Sequence, residues 1–309
     1  MIIEFDGIAI NNDAIAELTN DYKIYVDNFY LGGVASNTFK LTCGKQFINN
    51  HPSEIIINDG TTSFHLQVDK ITEDKSFYYY DLVDAMVNFD FQYDAKPLID
   101  SNKNNEIDTH LSDILQDICL QANIECQYVL TTTDYVVNWW DNRITARDYI
   151  SMIAEKEGCF ARINDNGELD FIPVNSPSKM TISEEYVSEL SIGERKEITR
   201  VVYDNGVNKW EFGDDTGNTL YLNPNNVYIL DASDVEQIYN KINGFTFYSI
   251  TVSDAPIDSA IRAGDIITFK DVDNNLYPTI AQYSTSYGGG WMGGYSFDIK
   301  TDKQQETNV

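Results

Sequence analysis

The stretch TARDYISMIAEKEGCFARINDNGELDF, residues 145–171, sets a helix start, a helix stop and a hairpin turn within a few turns of chain. Thr145 is positioned to accept a hydrogen bond from a free first-turn amide, and Asp148 falls near the positive helix end. The pair resembles a capping box with Asp where Glu or Gln is usual. Tyr149, Ile150, Ile153 and Ala154 then recur at helical spacing and give one apolar face. Gly158 suits a left-handed stop. Beyond it, Cys159–Ile163 and Glu168–Ile172 flank Asn166-Gly167, which predicts a type I′ hairpin. Strand alternation sets Phe160 and Arg162 on one face and Cys159, Ala161 and Ile163 on the other. None of these groups reads as catalytic, so the segment reads as scaffold.

Toward the N-terminus, Trp139 and Trp140 precede the segment, and a helix is expected from about Thr109 to Ala122. Its apolar positions are Leu111, Ile114, Leu115, Ile118, Cys119 and Ala122. Residues 98 to about 107, LIDSNKNNEI, read as a polar linker. The first ninety-odd residues predict strands at Ile2–Ile10, Lys23–Tyr30, Thr38–Cys43, Glu54–Ile57, Ser63–Val68 and Ser76–Tyr80, with a turn at Asn58-Asp59-Gly60. Toward the C-terminus, NSPSK (Asn175–Lys179) is a break. Then come a hairpin of Ile198–Tyr203 and Val207–Phe212 around Asp204-Asn205-Gly206, and a helix from about Asp234 to Ile242 closed by Gly244. Strands follow at Phe245–Val252, Asp265–Lys270, Tyr277–Tyr283 and Tyr295–Ile299, with a Gly-rich turn at residues 288–294 around Trp291 and a polar tail.

These elements predict a mainly β chain with a small α+β domain. Two β-barrel domains, residues 1–97 and 179–309, flank a central helix-and-hairpin domain at 98–178, and the second barrel carries a helical insertion near 233–243. The 309 residues suffice for two or three cores, and 42% hydrophobic with 13% aromatic composition argues for a folded protein. Twenty Tyr and 15 Phe favour β-structure.

The net charge of −28 is spread evenly: residues 1–97 carry 6 basic and 15 acidic groups, 98–178 carry 5 and 14, and 179–309 carry 10 and 20. Binding of nucleic-acid phosphates through a basic groove is therefore not expected. Cys43, Cys119, Cys126 and Cys159 form no CxxC pair and have no His at zinc-ligand spacing, so buried free thiols in a reducing compartment are expected. The start, MIIEFDGIAI, is acidic where a signal peptide is basic, and no apolar run is long enough for a membrane span.

The search for chemistry yields no catalytic, cofactor-binding or metal-binding residues. There is no GxSxG, HExxH, P-loop or GxGxxG. His51, His65 and His110 are scattered and read as surface or core histidines. Cys159 reads as a packed thiol rather than a nucleophile. Asp271, Asp273 and Asn275 have the first spacings of a calcium loop, but Leu276 stands where Gly is needed and Gln282 where the bidentate Glu belongs. The Asn164-Asp165-Asn166-Gly167 turn fails too, because Arg162 would be its first ligand. Both read as ordinary turns. The 49 acidic residues allow many carboxylate pairs, and no spacing singles one out. Trp139, Trp140 and Trp291 would serve as a sugar platform, with core or interface packing the commoner fate.

The pattern T-A-R-D-x-[I/L]-x-x-I-A-x-x-x-G-x-F-A-x-I-x-x-x-G-x-L-x-F resembles the baseplate hub family of bacteriophage tails, which includes the N-terminal hub region of tail-associated lysins and tail tip proteins. Thr145, Ala146, Arg147, Asp148, Ile150, Ile153, Ala154, Gly158, Phe160, Ala161, Ile163, Gly167, Leu169 and Phe171 carry it. Tyr79–Met86 is similar to the end of the family's first barrel. Ala263–Phe269, with Asp273–Ile280 and the Gly-rich turn, is similar to the last. The resemblance implies a homotrimer whose two similar barrels per subunit build a ring of pseudo-six-fold symmetry. That ring would join the six-fold tail tube to a three-fold tip, beside the distal tail protein and the tape-measure protein. DNA would pass through its lumen without specific binding, and an acidic lumen would repel that polyanion. The central domain would sit peripherally. The resemblance also implies a virion tail location after assembly in the host bacterial cytoplasm, a role in host attachment and DNA ejection, and no enzyme activity. Many members extend into lytic or receptor-binding regions; the sequence ends soon after the last expected barrel, so such activity is expected to be absent, on another protein, or on a part removed. Two alternatives stand beside it: a carbohydrate-binding adhesin, and a glycoside hydrolase with an unrecognised carboxylate pair.

Overall fold

The structure, a computed structural model, describes residues 1–24, 28–58, 63–95, 98, 109–127, 129–131, 136–137, 143–253, 255, 260–288, 296–300 and 303–304. The linker at 99–107, Trp139, Trp140, Trp291, the Asp59-Gly60 turn, residues 289–294 and the last five residues lie outside them. The fold is mainly β, with three α-helices among the described residues.

The first third forms β1 (Ile2–Phe5), β2 (Ile8–Ala9), β3 (Ile15–Lys23), β4 (Asn28–Phe29), β5 (Ser36–Gly44), β6 (Glu54–Asn58), β7 (Ser63–Glu73) and β8 (Phe77–Val83). The strand expected over Ile2–Ile10 is instead a hairpin. Asp6 and Gly7 both take positive φ, 47° and 78°, as a type I′ turn requires. β3 escapes sequence reading because its inward face, Leu18, Asn20 and Tyr22, includes a buried amide. β5 alternates cleanly, with Phe39, Leu41 and Cys43 inward against Ile3, Ile55, Ile57, Leu66, Tyr80 and Leu82.

A central segment follows: β9 (Thr109–His110), helix α1 (Leu111–Ala122), β10 (Val136–Val137), helix α2 (Ala146–Glu157), and the hairpin of β11 (Cys159–Ile163) with β12 (Leu169–Pro173). The last third holds β13 (Met180–Ser183), β14 (Glu189–Asp204), β15 (Lys209–Gly213), β16 (Asn218–Tyr221), helix α3 (Ala232–Ile242), β17 (Thr246–Ser253), β18 (Ile266–Lys270), β19 (Leu276–Ile280), β20 (Tyr283–Gly288), β21 (Ser296–Lys300) and β22 (Lys303–Gln304).

One 13-stranded sheet runs β15-β14-β17-β21-β20-β3-β5-β8-β7-β6-β1-β2, with β16 paired to β14. The β3–β20 pair, from Tyr22↔Tyr283 to Glu17↔Gly288, joins the first third to the last. No sheet among the described residues closes on itself, so the two β units expected as barrels are open here. The reason is local: β3 gives one edge to β5 and the other to β20, so the ladder continues into the last third instead of returning to β2.

The central segment follows the sequence reading closely. The Thr145 hydroxyl accepts from the Asp148 amide at 3.1 Å, and the Asp148 carboxylate accepts from the Thr145 amide, closing a full capping box. Gly158 ends α2 with φ 70°. β11 is buried along its whole length. Its alternation divides two cores: Phe160 packs with the last third, whereas Cys159, Ala161 and Ile163 pack with α1 and α2. Residues 32–35 run beside β11, with the Ala35 amide donating to Ala161 O at 2.7 Å. The hairpin is thus a wedge between cores. The turn departs from expectation: the ladder closes at Ile163↔Leu169, and only Gly167 takes positive φ. The Asn164 side chain caps the loop by accepting from the Asn166 and Glu168 amides, which fixes a longer loop than the type I′ turn predicted.

Candidate functional site

The C-terminal end of α2 carries three consecutive charged residues, Glu155, Lys156 and Glu157, exposed by 3%, 1% and 2%. Successive helical side chains point about 100° apart, so burial of all three means that the helix end is enclosed on every side. Glu155 accepts from the Asn223 amide at 2.8 Å and from Asn226 Nδ2 at 2.7 Å. Lys156 Nζ donates to Tyr228 O at 2.8 Å and to Asp234 at 2.6 Å. Glu157 accepts from the Thr131 amide and hydroxyl and from Lys241 Nζ at 3.1 Å. One turn of α2 therefore grips the 223–228 loop, the start of α3 and the end of α3. Burial pushes the Glu155 carboxyl up to about 7 against these two donors. Burial also lowers the Lys156 ammonium, partly offset by Asp234.

A second polar cluster joins the hairpin to the last third. Asp265 accepts from Arg162 Nη1 at 2.8 Å, from Lys179 Nζ at 2.9 Å and from the Arg262 amide at 2.8 Å. Arg262 reaches back to Asp165 at 2.7 Å, and its guanidinium lies 4.3 Å from the Phe64 ring centre. A buried anion held by several donors is tolerated where an unpaired one is not. The cluster ties the β11–β12 hairpin to residues 179 and 262–265 of the last third.

Between α2, the β14–β15 turn and the 223–230 loop lies an open cleft of about 760 Å³, lined by Ile144, Asp148, Ser151, Tyr203, Asn205 and Asn223–Asn226 among others. Its polar groups hold the walls. Asp148 closes the α2 cap. Ser151 Oγ donates to Gly32 O at 2.7 Å. Asn226 Nδ2 donates to Met152 O and to Glu155, while its Oδ1 accepts from the Tyr228 amide. Asn205 accepts from the Val207 and Asn208 amides. Among its described lining residues Asp148 is the one carboxylate.

The sequence-stated candidates sit apart. His51 Nδ1 lies 3.1 Å from Tyr80 Oη with its ring edge-on to Tyr78. His65 pairs with Glu54, and His110 precedes α1. Cys43, Cys119 and Cys159 are buried and Cys126 is half-buried, and none of the four is in a disulfide. In the Asp271–Asn275 turn, the Asp271 carboxylate accepts from the Asn275 amide, Asn275 Nδ2 and Tyr277 Oη, and Asn274 takes φ 66°. Gln282 turns elsewhere and accepts from the buried Ile24 amide. No group of three His, Cys, Asp or Glu suited to a metal is found among the described residues. Sequence reasoning did not single out the buried charges Glu155–Glu157, Arg162, Arg262 and Asp265 as site residues. Only Arg162 carried a signal, by sharing a strand face with Phe160.

With this architecture in place, comparison with solved structures is decisive for the fold. The 43 kDa tail protein of prophage MuSo2 from Shewanella oneidensis aligns with 98% of this chain and 97% of its own, at TM-score 0.60 and 12% identity. The chain shares its fold with that tail protein. A tail protein from Neisseria meningitidis MC58 aligns over 97% and 96% of the two chains, at TM-score 0.59 and 10% identity. A prophage tail protein from Listeria monocytogenes aligns over 98% and 95%, at TM-score 0.55 and 12% identity. No known family description and no curated protein matches the sequence itself. Among the described residues, no helix is long and apolar enough to cross a membrane.

Proposed function

We propose that the chain is a structural subunit of a phage or prophage-derived tail, acting as the hub of a tail tip or baseplate. The carrying observation is the end-to-end likeness to three tail proteins, covering 97–98% of this chain. The buried ion pairs that tie α2 to α3 and the hairpin to the last third support a structural role. In this reading three copies form a ring, with the β units of residues 1–97 and 179–309 alternating around it and residues 98–178 bracing them. The ring joins the six-fold tail tube to a three-fold tip beside the distal tail and tape-measure proteins. Its acidic surface lets DNA pass without adhering.

Native mass spectrometry with negative-stain imaging at high protein concentration tests this reading. A three-copy ring with a lumen wide enough for duplex DNA is expected. A protein that stays monomeric at every concentration, and that fails to enter tail particles when co-expressed with its neighbouring genes, removes it.

A further inference from the structure

We propose that Cys119 and Cys126 are a redox-responsive thiol pair that closes to a disulfide and staples α1 to the hairpin. The two positions are brought together by a chain reversal. Asn123, at φ 55°, ends α1 in the left-handed conformation, and the Ile124 amide turns back to donate to Cys119 O at 2.9 Å. Residues 124–126 then run back over the last turn of the helix, and Cys126 packs against the core that contains Cys119. The neighbouring Cys126 thiol, ahead of burial, holds the Cys119 thiol well above its ordinary range. On its other side, Cys126 bridges Leu169, whose amide donates to Glu125 O at 2.7 Å. A bond between the two sulfurs therefore ties helix and hairpin through one short loop.

Access is asymmetric in the way stepwise oxidation needs. Cys119 is buried, whereas Cys126 is half-buried and reachable from solvent. Cys43 lies in the separate core of the first third. Cys159 donates its thiol to Glu157 O at 3.4 Å. With a low-molecular-weight disulfide as oxidant, the Cys126 thiolate attacks one sulfur and expels one small thiolate. Cys119 then attacks the Cys126 sulfur of the mixed disulfide and expels the second. The two protein thiols are oxidised, the small disulfide is reduced to two thiols, and the protons pass to those thiols or to water.

The test treats the whole chain with oxidised glutathione, alkylates remaining thiols, and maps tryptic peptides without reduction. Both cysteines fall in the peptide 104–143, Cys43 in 41–45 and Cys159 in 157–162. The expected result is peptide 104–143 lighter by two hydrogens and closed to alkylation until reduced, with the other two peptides alkylated. The thermal midpoint should rise by about 2–5 °C on oxidation in the natural chain and not in Cys126→Ser. A lasting glutathione adduct on Cys126 overturns the proposal. So does full alkylation of both residues, or a link to Cys43, Cys159 or another chain. An unchanged midpoint despite the link overturns the staple.

Discussion

Glu155 and Asp84 are carboxyls that the fold desolvates more than it compensates, and burial pushes each up to about 7 from ordinary values of 4.5 and 3.8. Asp84 caps the turn at Met86 and accepts the Asn37 amide at 2.8 Å. A group whose folded form holds its proton more tightly than its unfolded form adds stability as pH falls through the gap. The thermal midpoint should therefore rise from about pH 7.5 to about pH 5.5, with each group contributing roughly 1–3 kcal/mol over that window. Comparing pH–midpoint curves of the natural chain and the Glu155→Gln, Asp84→Asn double variant checks this; an equal slope in both would count against it. Below about pH 4 the trend reverses, because hydrogen bonds hold Asp6, Asp74, Asp231 and Asp271 below the usual carboxylate range and those bonds are lost on protonation. Gly32 is a second residue under close control. Its φ is +79°, and an added Cβ would sit 2.4 Å from Ser151 O and 2.8 Å from Glu155 Cβ. Gly32→Ala should cost about 2–4 kcal/mol in chemical denaturation, since the obstacle is helix backbone that has nowhere to move.

At the scale of elements, α2 combines a cheap local device with an expensive tertiary one. Thr145→Ala removes one side of the capping box and should cost about 1 kcal/mol. Lys156→Ala leaves Asp234 without its ammonium partner at a nearly closed site and should cost about 3–5 kcal/mol. Adding Asp234→Asn should recover part of that loss, and a double-mutant cycle by urea unfolding reads the coupling directly. Additive costs would mean that the contact does not hold α3 in place. β11 is the other informative element. Phe160 touches Phe29 edge-on at 6.0 Å between ring centres and is fully buried. Phe160→Ala should cost about 3–5 kcal/mol, more than a hairpin strand near the surface would show.

At the scale of the whole molecule, the core of the last third also contains Tyr22, Ile24, Phe29, Leu31 and Phe160, and the β3–β20 ladder crosses the same boundary. Calorimetry should therefore give a single unfolding transition, and the fragment 179–309 alone should lack the cooperative melt of the full chain. The sequence by itself determined the local punctuation: the Thr145–Asp148 cap, the Gly158 stop, the two faces of β11 and helices expected at about 109–122 and 234–242, found at 111–122 and 232–242. These depend on near neighbours and on a fixed side-chain period, so a linear reading captures them. It also determined the mainly β character, through alternating aromatic runs. It missed the hairpin at Asp6-Gly7, the strand β3 with its buried Asn20, and the loop that Asn164 organises, because each is settled by which hydrogen bond outcompetes propensity. Only the tertiary structure decided that Glu155, Lys156 and Glu157 are buried, that Asp265 collects Arg162 and Lys179, and that one open sheet joins the first and last thirds. Burial and strand pairing are set by partners that lie 68 to 271 residues away, and no local pattern encodes the distance at which a charge will find its counterpart.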